Sequence, residues 1–369
     1  MSVAGDLPKA GAPSRAWVIP LAARIEGLLL PVAALLAGFA AFALFLLLLG
    51  KSPVDFFALV YKAGFGTAFS WSNTLSRAAP LLLAALCVAV PARLGLVVIG
   101  GEGAIVLGGV MVGGLALPLS GWPPLIAMPL LACMAALAGA VWIGAVGALR
   151  QWRGVNETIA SLLMAYIAIA LMNHMVEGPL RDPASLNKPS TAPLAEALRV
   201  GDLPGWNVHW GLAVAVLACI FAWVLIDRTT IGFAARIAGG NIRAAQVQGL
   251  PVGKLVIGFT ALGGAFAGLA GYFEVSAVHG SANASLASGY GYTGILIAFL
   301  ARHNPLAIIP VALLLAGFEA SSGLVQRRMD LPDATMTVLQ GFVFVAILAS
   351  ETFTGRLNLA ALLTKGEQR

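Results

Sequence analysis

Residues 27–49 read GLLLPVAALLAGFAAFALFLLLL, 23 consecutive positions without a charge. As a helix rising 1.5 Å per residue, this stretch is about 35 Å long, enough to cross a hydrocarbon core of about 30 Å with some tilt. A cleaved signal peptide has a shorter apolar core followed by small residues. This run, preceded by Lys9, Arg15 and Arg24, reads instead as an uncleaved anchor with its N-terminus inside. Apolar runs of similar length recur down the chain, so the fold class is all-α, a polytopic helical membrane protein. A transmembrane barrel would show ten-residue alternating segments, and none is present.

The composition agrees. Hydrophobic residues make up 59% of the chain and charged residues 10%, against roughly 25% charged in soluble domains. Cys87, Cys133 and Cys219 all fall inside apolar runs and read as small core residues, neither a disulfide nor a metal set. The net charge of +6 does not call for nucleic acid, because cytoplasmic loops of membrane proteins are basic in any case.

Beyond the first span, residues 51–77 are mixed and aromatic and are expected along the outer interface. The apolar stretch Ala78–Pro91 is short for a span. Leu94–Leu117 follows, glycine-rich and interrupted by Ile99-Gly-Gly-Glu-Gly103. Spans are expected at Trp122–Leu149, at Asn156–Glu177 and at Gly211–Ile226, with an external loop over 178–209. Later spans are expected at Leu255–Val275, at the short Gly289–Leu300, at Leu306–Leu324 and at Thr335–Ser350. The spacing predicts about ten crossings, some of them short or broken, in one transmembrane domain over 27–350. Residues 1–26 and 351–369 become cytoplasmic segments. Of the 22 Lys and Arg, 14 fall inside and 8 outside in this arrangement, a bias of the expected sign.

Between two spans lies Thr230–Gly249, TIGFAARIAGGNIRAAQVQG, inside an expected cytoplasmic loop over 227–254. Gly239 and Gly240 mark a break, Asn241 is a favoured N-cap, and Ile242–Gln248 leaves room for about two helical turns. Gly249 can take the left-handed conformation that stops a helix, and Pro251 cannot continue one. Arg236 and Arg243 supply charge, and Ala244 and Ala245 a slim face, for docking into a groove. The local chemistry also allows a merely solvated loop.

Ionisable groups at membrane depth are costly and need a reason to be there. Glu102, between Gly100 and Gly103 in a broken apolar segment, either faces a translocation path or pins the break between two half-helices. Glu157 follows Asn156, which suits an N-cap, and a carboxylate is favourable in a first turn. Glu274, near the outer end of its span, is expected to reach water. Glu319 lies deeper, and Tyr290 and Tyr292 stand in a short span; all three are path candidates. His174, His209, His279 and His303 lack metal-ligand spacing, so no metal is assigned. The chain holds no phosphate-binding G-x-x-x-x-G-K-[ST] loop and no hydrolase or kinase signature. Work against a gradient therefore needs a separate ATPase, or an ion gradient acting through buried carboxylates.

Four blocks, in order, resemble the permeases of bacterial ABC importers of the simple-sugar, nucleoside and branched-chain amino acid group. Leu94-Gly-Leu-Val-Val-Ile-Gly-Gly-Glu-Gly103 is similar to the family's GLFNIGAEGQ, and Val155-Asn-Glu-Thr-Ile159 to its VNEVI. Thr229–Leu250 resembles TxxGxxxRAxGxNxxAAxxxGI. Gly289-Tyr-Gly-Tyr-Thr-Gly294, continuing through Asn304-Pro305-Leu306 to Gln340-Gly341, resembles GYGFxGIAVALLGxxNP…QG. Val98 stands where the family has Asn, Ala104 where it has Gln, Ile237 where it has Ala, and Leu250 where it has Ile. The resemblance implies a non-catalytic permease subunit in a cell inner membrane, moving a small polar solute, a nucleoside or a simple sugar. The first two blocks are closest to permeases paired with basic-membrane-protein-type lipoproteins. It implies ATPase subunits that bind the ATP and magnesium, a second permease, identical or homologous, and an external binding protein or lipoprotein. The third block resembles the coupling helix that enters a groove on the ATPase, which assigns that role to Arg236, Gly239, Gly240, Asn241, Arg243, Ala244, Ala245 and Gly249. The path candidates are then Gly100, Glu102, Gly103, Asn156, Glu157, Tyr290, Tyr292 and Glu319.

Overall fold

The computed structural model describes residues 18–351, with side chains placed from 32 to 350. Residues 1–17 and 352–369 of the expected terminal segments lie outside the described residues. Among the described residues there is no strand; two isolated bridging pairs, Ser190 with Asn283 and Asp202 with His209, are the only extended pairings. The chain is an all-α, multi-pass membrane protein. Six helices are long and apolar enough to cross a bilayer, and four apolar stretches, Val32–Leu48, Gly101–Leu115, Ala284–Leu300 and Thr335–Ser350, are shorter.

The helices are α1 (Val18–Leu48), α2 (Pro53–Gly64), α3 (Ala68–Ala92), α4 (Gly101–Leu115), α5 (Pro124–Arg153), α6 (Glu157–Glu177) and α7 (Gly211–Arg228). They continue with α8 (Thr230–Gly240), α9 (Ile242–Val247), α10 (Val252–Phe273), α11 (Tyr290–Leu300), α12 (Pro305–Met329) and α13 (Thr335–Glu351). Two compact units are distinguished, residues 1–51 with 337–369, and residues 52–336. In the first, Phe342 packs against Phe42 and Phe45 with ring centroids 6.0 and 5.8 Å apart. Gly38 lies against Val343.

In the second unit α3 and α10 form the core. Every residue from Ala78 to Pro91 in α3 is buried. The expected short span 78–91 is thus only the apolar part of a 25-residue helix. Its first turns carry hydroxyls that bond to nearby backbone, Ser72 to the Ala68 carbonyl and Thr74 to that of Gly64, which masks the helix in a hydropathy reading. Close approach around α10 depends on small residues. Gly139 of α5 meets the Gly264 carbonyl, Gly268 meets the Ala135 carbonyl, and Gly271 meets that of Ile105 in α4. Without a hydrophobic force between helices in lipid, such backbone proximity supplies the packing. Cys87 and Cys219 are buried as expected, whereas Cys133 is exposed on α5.

The 178–209 loop folds back on the far end of α10. Thr191 N–H donates to the Ala282 carbonyl at 2.9 Å, and Leu194 N–H to that of Gly280 at 2.7 Å. His209 Nδ1 accepts from Gly211 N–H at 3.1 Å, which leaves Nε2 as the donor to the Ser76 carbonyl, also at 3.1 Å. The last turn of α10 opens into a π-helical segment, Glu274–His279. Glu274 does not reach water. It is 1% exposed, with His279 Nδ1 3.3 Å from its carboxylate, because the widened turn points the side chain into the protein.

Candidate functional site

The segment before α4 is the first broken element. The expected break falls earlier than the glycines suggested. α3 ends at Ala92, Gly95 turns the chain with φ of +72°, and Leu96–Ile99 is non-helical before α4 starts at Gly101. A non-helical backbone inside an apolar bundle needs partners for its N–H and C=O groups. The first turns of α6 provide them. Val97 N–H donates to Glu157 at 3.3 Å, Thr158 Oγ1 donates to the Val97 carbonyl at 2.9 Å, and Ile99 N–H donates to Ser161 Oγ at 3.0 Å. Asn156 caps α6 by accepting from the N–H groups of Thr158 and Ile159 at 2.9 and 3.1 Å. Glu157, 6% exposed, also pairs with Arg150. Asn156 and Glu157 thus hold the base of the broken segment, at the end of the bundle that carries Arg93, Arg150 and residues 230–249.

The second broken element is α11, whose 11 residues span only about 16 Å. Its amino end meets the start of α4. Glu102, 1% exposed, accepts from Gly289 N–H at 2.7 Å and Gly291 N–H at 2.6 Å. A carboxylate from the first turn of one helix thereby caps another, where the N–H groups have no partner within the helix. Gly291 permits this: a Cβ there would lie 2.7 Å from the Glu102 Cα. Gly100 rests on the Ser161 carbonyl, and Gly103 on Ala165 and Ala168. The structure brings Gly100, Glu102, Gly103, Tyr290 and Tyr292 together. Glu319, half-buried on α12, and Glu274 both act electrostatically on Tyr290.

The polar interval between α7 and α10 is more helical than its glycines suggested, because Gly239 and Gly240 close α8 instead of interrupting a loop. Asn241 ends α8 and caps α9, its side chain accepting from Ala244 N–H at 3.1 Å. Gly249 is left-handed, φ +75°. Ala245 is fully buried beneath α9, so of the expected slim face only Ala244 stands outward. Outward stand Ile242, Arg243, Ala244 and Val247, the last 89% exposed. Arg236, on α8, lies 3.8 Å from Asp227. Gly239 sits directly on the backbone of Arg93 and Leu94, with the Leu94 Cα 3.1 Å from where its Cβ would be. The α8–α9 element therefore rests on the turn that leads into the broken segment.

The same turn touches α11. Arg93 donates to the His303 carbonyl at 3.1 Å, and Arg302 and His303 hold left-handed backbone at φ 51° and 54°. Such conformations cost of order 1–3 kcal/mol each and persist where the surroundings enforce them. Sequence reading missed Arg93, Thr158 and Ser161, since only their partners, about 60 to 210 residues away, give them a role.

Burial pushes the His303 imidazole down to about 4, and Arg93 adds in the same direction. The folded protein then binds fewer protons at this site than the unfolded chain between pH 6.5 and 4, so this stability is complete above 6.5 and is lost as pH falls toward 4. His209, lowered chiefly by burial, adds a slope of the same sign. His303→Asn, which tolerates positive φ, is expected to make the acid-side slope of unfolding free energy shallower by about one proton. Denaturant unfolding across that range measures it; an unchanged slope contradicts the assignment.

The family model described as branched-chain amino acid transport system / permease component matches residues 70–348. The chain is 32% identical over 334 residues to a glucose ABC transporter permease protein of Haloferax volcanii, covering 88% of this chain and 87% of that one. It is 29% identical over 359 residues to a guanosine ABC transporter permease protein of Bacillus subtilis, covering 93% and 99%. A nucleoside ABC transporter permease protein of Lactococcus lactis is 24% identical over 325 residues, covering 86% and 89%.

Proposed function

The chain belongs to the family of branched-chain amino acid transport system permease components, and on that premise we propose that it carries a nucleoside or a simple sugar inward across a cell's inner membrane. It is the permease subunit of an ABC importer: it conducts the solute and leaves ATP hydrolysis to a separate subunit. ATP and magnesium bind on that ATPase, an external binding protein or lipoprotein delivers the solute, and a second permease, identical or homologous, completes the path. Relatives named for glucose and for guanosine support a solute with sugar hydroxyls. The basic end, with α8 and α9, faces the cytoplasm, and both termini lie there.

The observation that carries this reading is the seat of Gly239 on Arg93 and Leu94. A push on α9 passes through α8 into the turn at 93–95, and from there into Leu96–Ile99 and Glu102. Arg243 and Val247 meet the ATPase groove, with Arg236 held by Asp227 behind them. Charge on such a surface governs encounter and register. Glu102 fastens α4 to α11, so both broken helices move with the turn.

Reconstitution of the assembled complex in liposomes tests the reading. Uptake is expected to require ATP inside, and Arg243→Glu is expected to lower uptake and solute-stimulated hydrolysis at least about ten-fold, the effect of losing about 1.4 kcal/mol of pairing. Uptake by the lone permease driven by a pH or sodium gradient, with no ATP dependence, would mean an ion-coupled transporter instead.

A further inference from the structure

Tyrosine in a membrane protein favours the two water interfaces, where its ring is sheltered and its hydroxyl is wet. A hydroxyl left in hydrocarbon without a partner is costly. Two tyrosines here depart from that placement. α6 has 21 residues, about 31 Å of helix, close to the core thickness. Tyr166 lies near its midpoint and is 59% exposed. Tyr292 is 40% exposed and is the one exposed residue of α11, a helix otherwise buried or half-buried throughout.

Packing puts the two at one level. A Cβ on Gly103 would lie 2.8 Å from the Ala165 Cα, and one on Gly291 would lie 2.7 Å from the Glu102 Cα. Glu102–Gly103, Ala165–Tyr166 and Gly291–Tyr292 therefore form one layer, held by the Glu102 clamp. Among the described residues neither hydroxyl has a hydrogen-bond partner.

We propose that Tyr166 and Tyr292 line the solute path at mid-depth and take the flat face of the solute's ring, with their hydroxyls bonding to its polar edge. The inference rests on the importer reading above and adds a position, Tyr166, that no motif in the sequence singled out. Ile159, Leu163 and Ile167 are exposed beside Tyr166 on α6, so that face is otherwise apolar, and it is the two hydroxyls, on different helices at one level, that call for a polar partner. A pair of rings fits a planar nucleobase, since base–aromatic stacking is insensitive to base identity.

Two measurements on the assembled complex in proteoliposomes test the pair. In a Cys133→Ser background, Tyr166→Cys and Tyr292→Cys are exposed to a charged, membrane-impermeant thiol reagent. Both are expected to react during turnover, and guanosine is expected to slow the reaction. Inert thiols at both positions would place the pair in lipid and overturn the proposal. In the second, Tyr166→Leu and Tyr292→Leu are expected to lower the maximal uptake of guanosine about ten-fold with the same amount of complex recovered, whereas the Phe variants retain most of it. A smaller loss for glucose identifies the base as the stacked group, and an equal loss identifies the sugar face. Unchanged uptake of both, or loss of complex assembly, overturns the assignment, the latter making the pair a subunit contact. A wild-type complex that moves neither probe under ATP defeats the importer reading itself, while normal transport by the Leu variants defeats only the tyrosine pair.

Discussion

Glu102→Ala is expected to lower the thermal stability of the purified protein sharply and to abolish uptake by the assembled complex. The side chain supplies both acceptors at the amino end of α11, from Gly289 and Gly291 N–H at 2.7 and 2.6 Å, in a site only 1% exposed. Each buried donor left without a partner costs roughly 1–3 kcal/mol, so the loss is about 2–6 kcal/mol before any collapse of the helix end. Water cannot easily substitute, because Gly291 brings the two backbones too close to leave a gap. Glu102→Gln is expected to be intermediate, since the amide offers one oxygen to one N–H and sets its own donor against the other. Thermal unfolding in detergent, with uptake measured in parallel, checks the series. An alanine variant with wild-type stability and transport would mean that the clamp is incidental.

This residue also shows how far the sequence could be read. A carboxylate among glycines in an apolar run announced a break and left two roles open, a path contact or a pin. Its partners are 187 and 189 positions away, and no local pattern encodes a pairing at that distance. The caps at Asn156, Asn241 and Gly249 were legible, because a cap depends on the residue itself and its next few neighbours. The start of α3 was not, because serines and threonines that satisfy themselves on nearby carbonyls look polar to a hydropathy reading. Glu274 was misplaced for a similar reason. A π-helical turn rotates side chains away from the α-helical register, so distance from the span end did not predict burial. Tyr166 drew no reading from the sequence, because only the packing of its neighbour Ala165 against Gly103 gives its depth.

The largest effect on function without a matching effect on stability is expected from Gly239→Val. Gly239 lies at the surface end of α8, yet its Cα faces the backbone of Arg93 and Leu94, leaving no room for a side chain. Backbone on the other side cannot move aside as a flexible side chain would, so α8 and α9 must lift off the turn. The buried run Ala78–Pro91 of α3 lies beyond this seat, so the strain falls on the turn itself, where Arg93 also donates to the His303 carbonyl. The ATPase would still find α9 and its outward Arg243 and Val247, but the motion would no longer reach Leu96–Ile99.

The number of solute molecules imported per ATP hydrolysed, compared between wild type and Gly239→Val in the reconstituted complex, is therefore the most direct test that this permease is driven through its α8–α9 element. The predicted result is a ratio reduced at least about ten-fold, equivalent to about 1.4 kcal/mol of lost coupling, with assembly and unfolding temperature close to wild type. An unchanged ratio, with Gly239→Val importing as efficiently as wild type, would contradict the account.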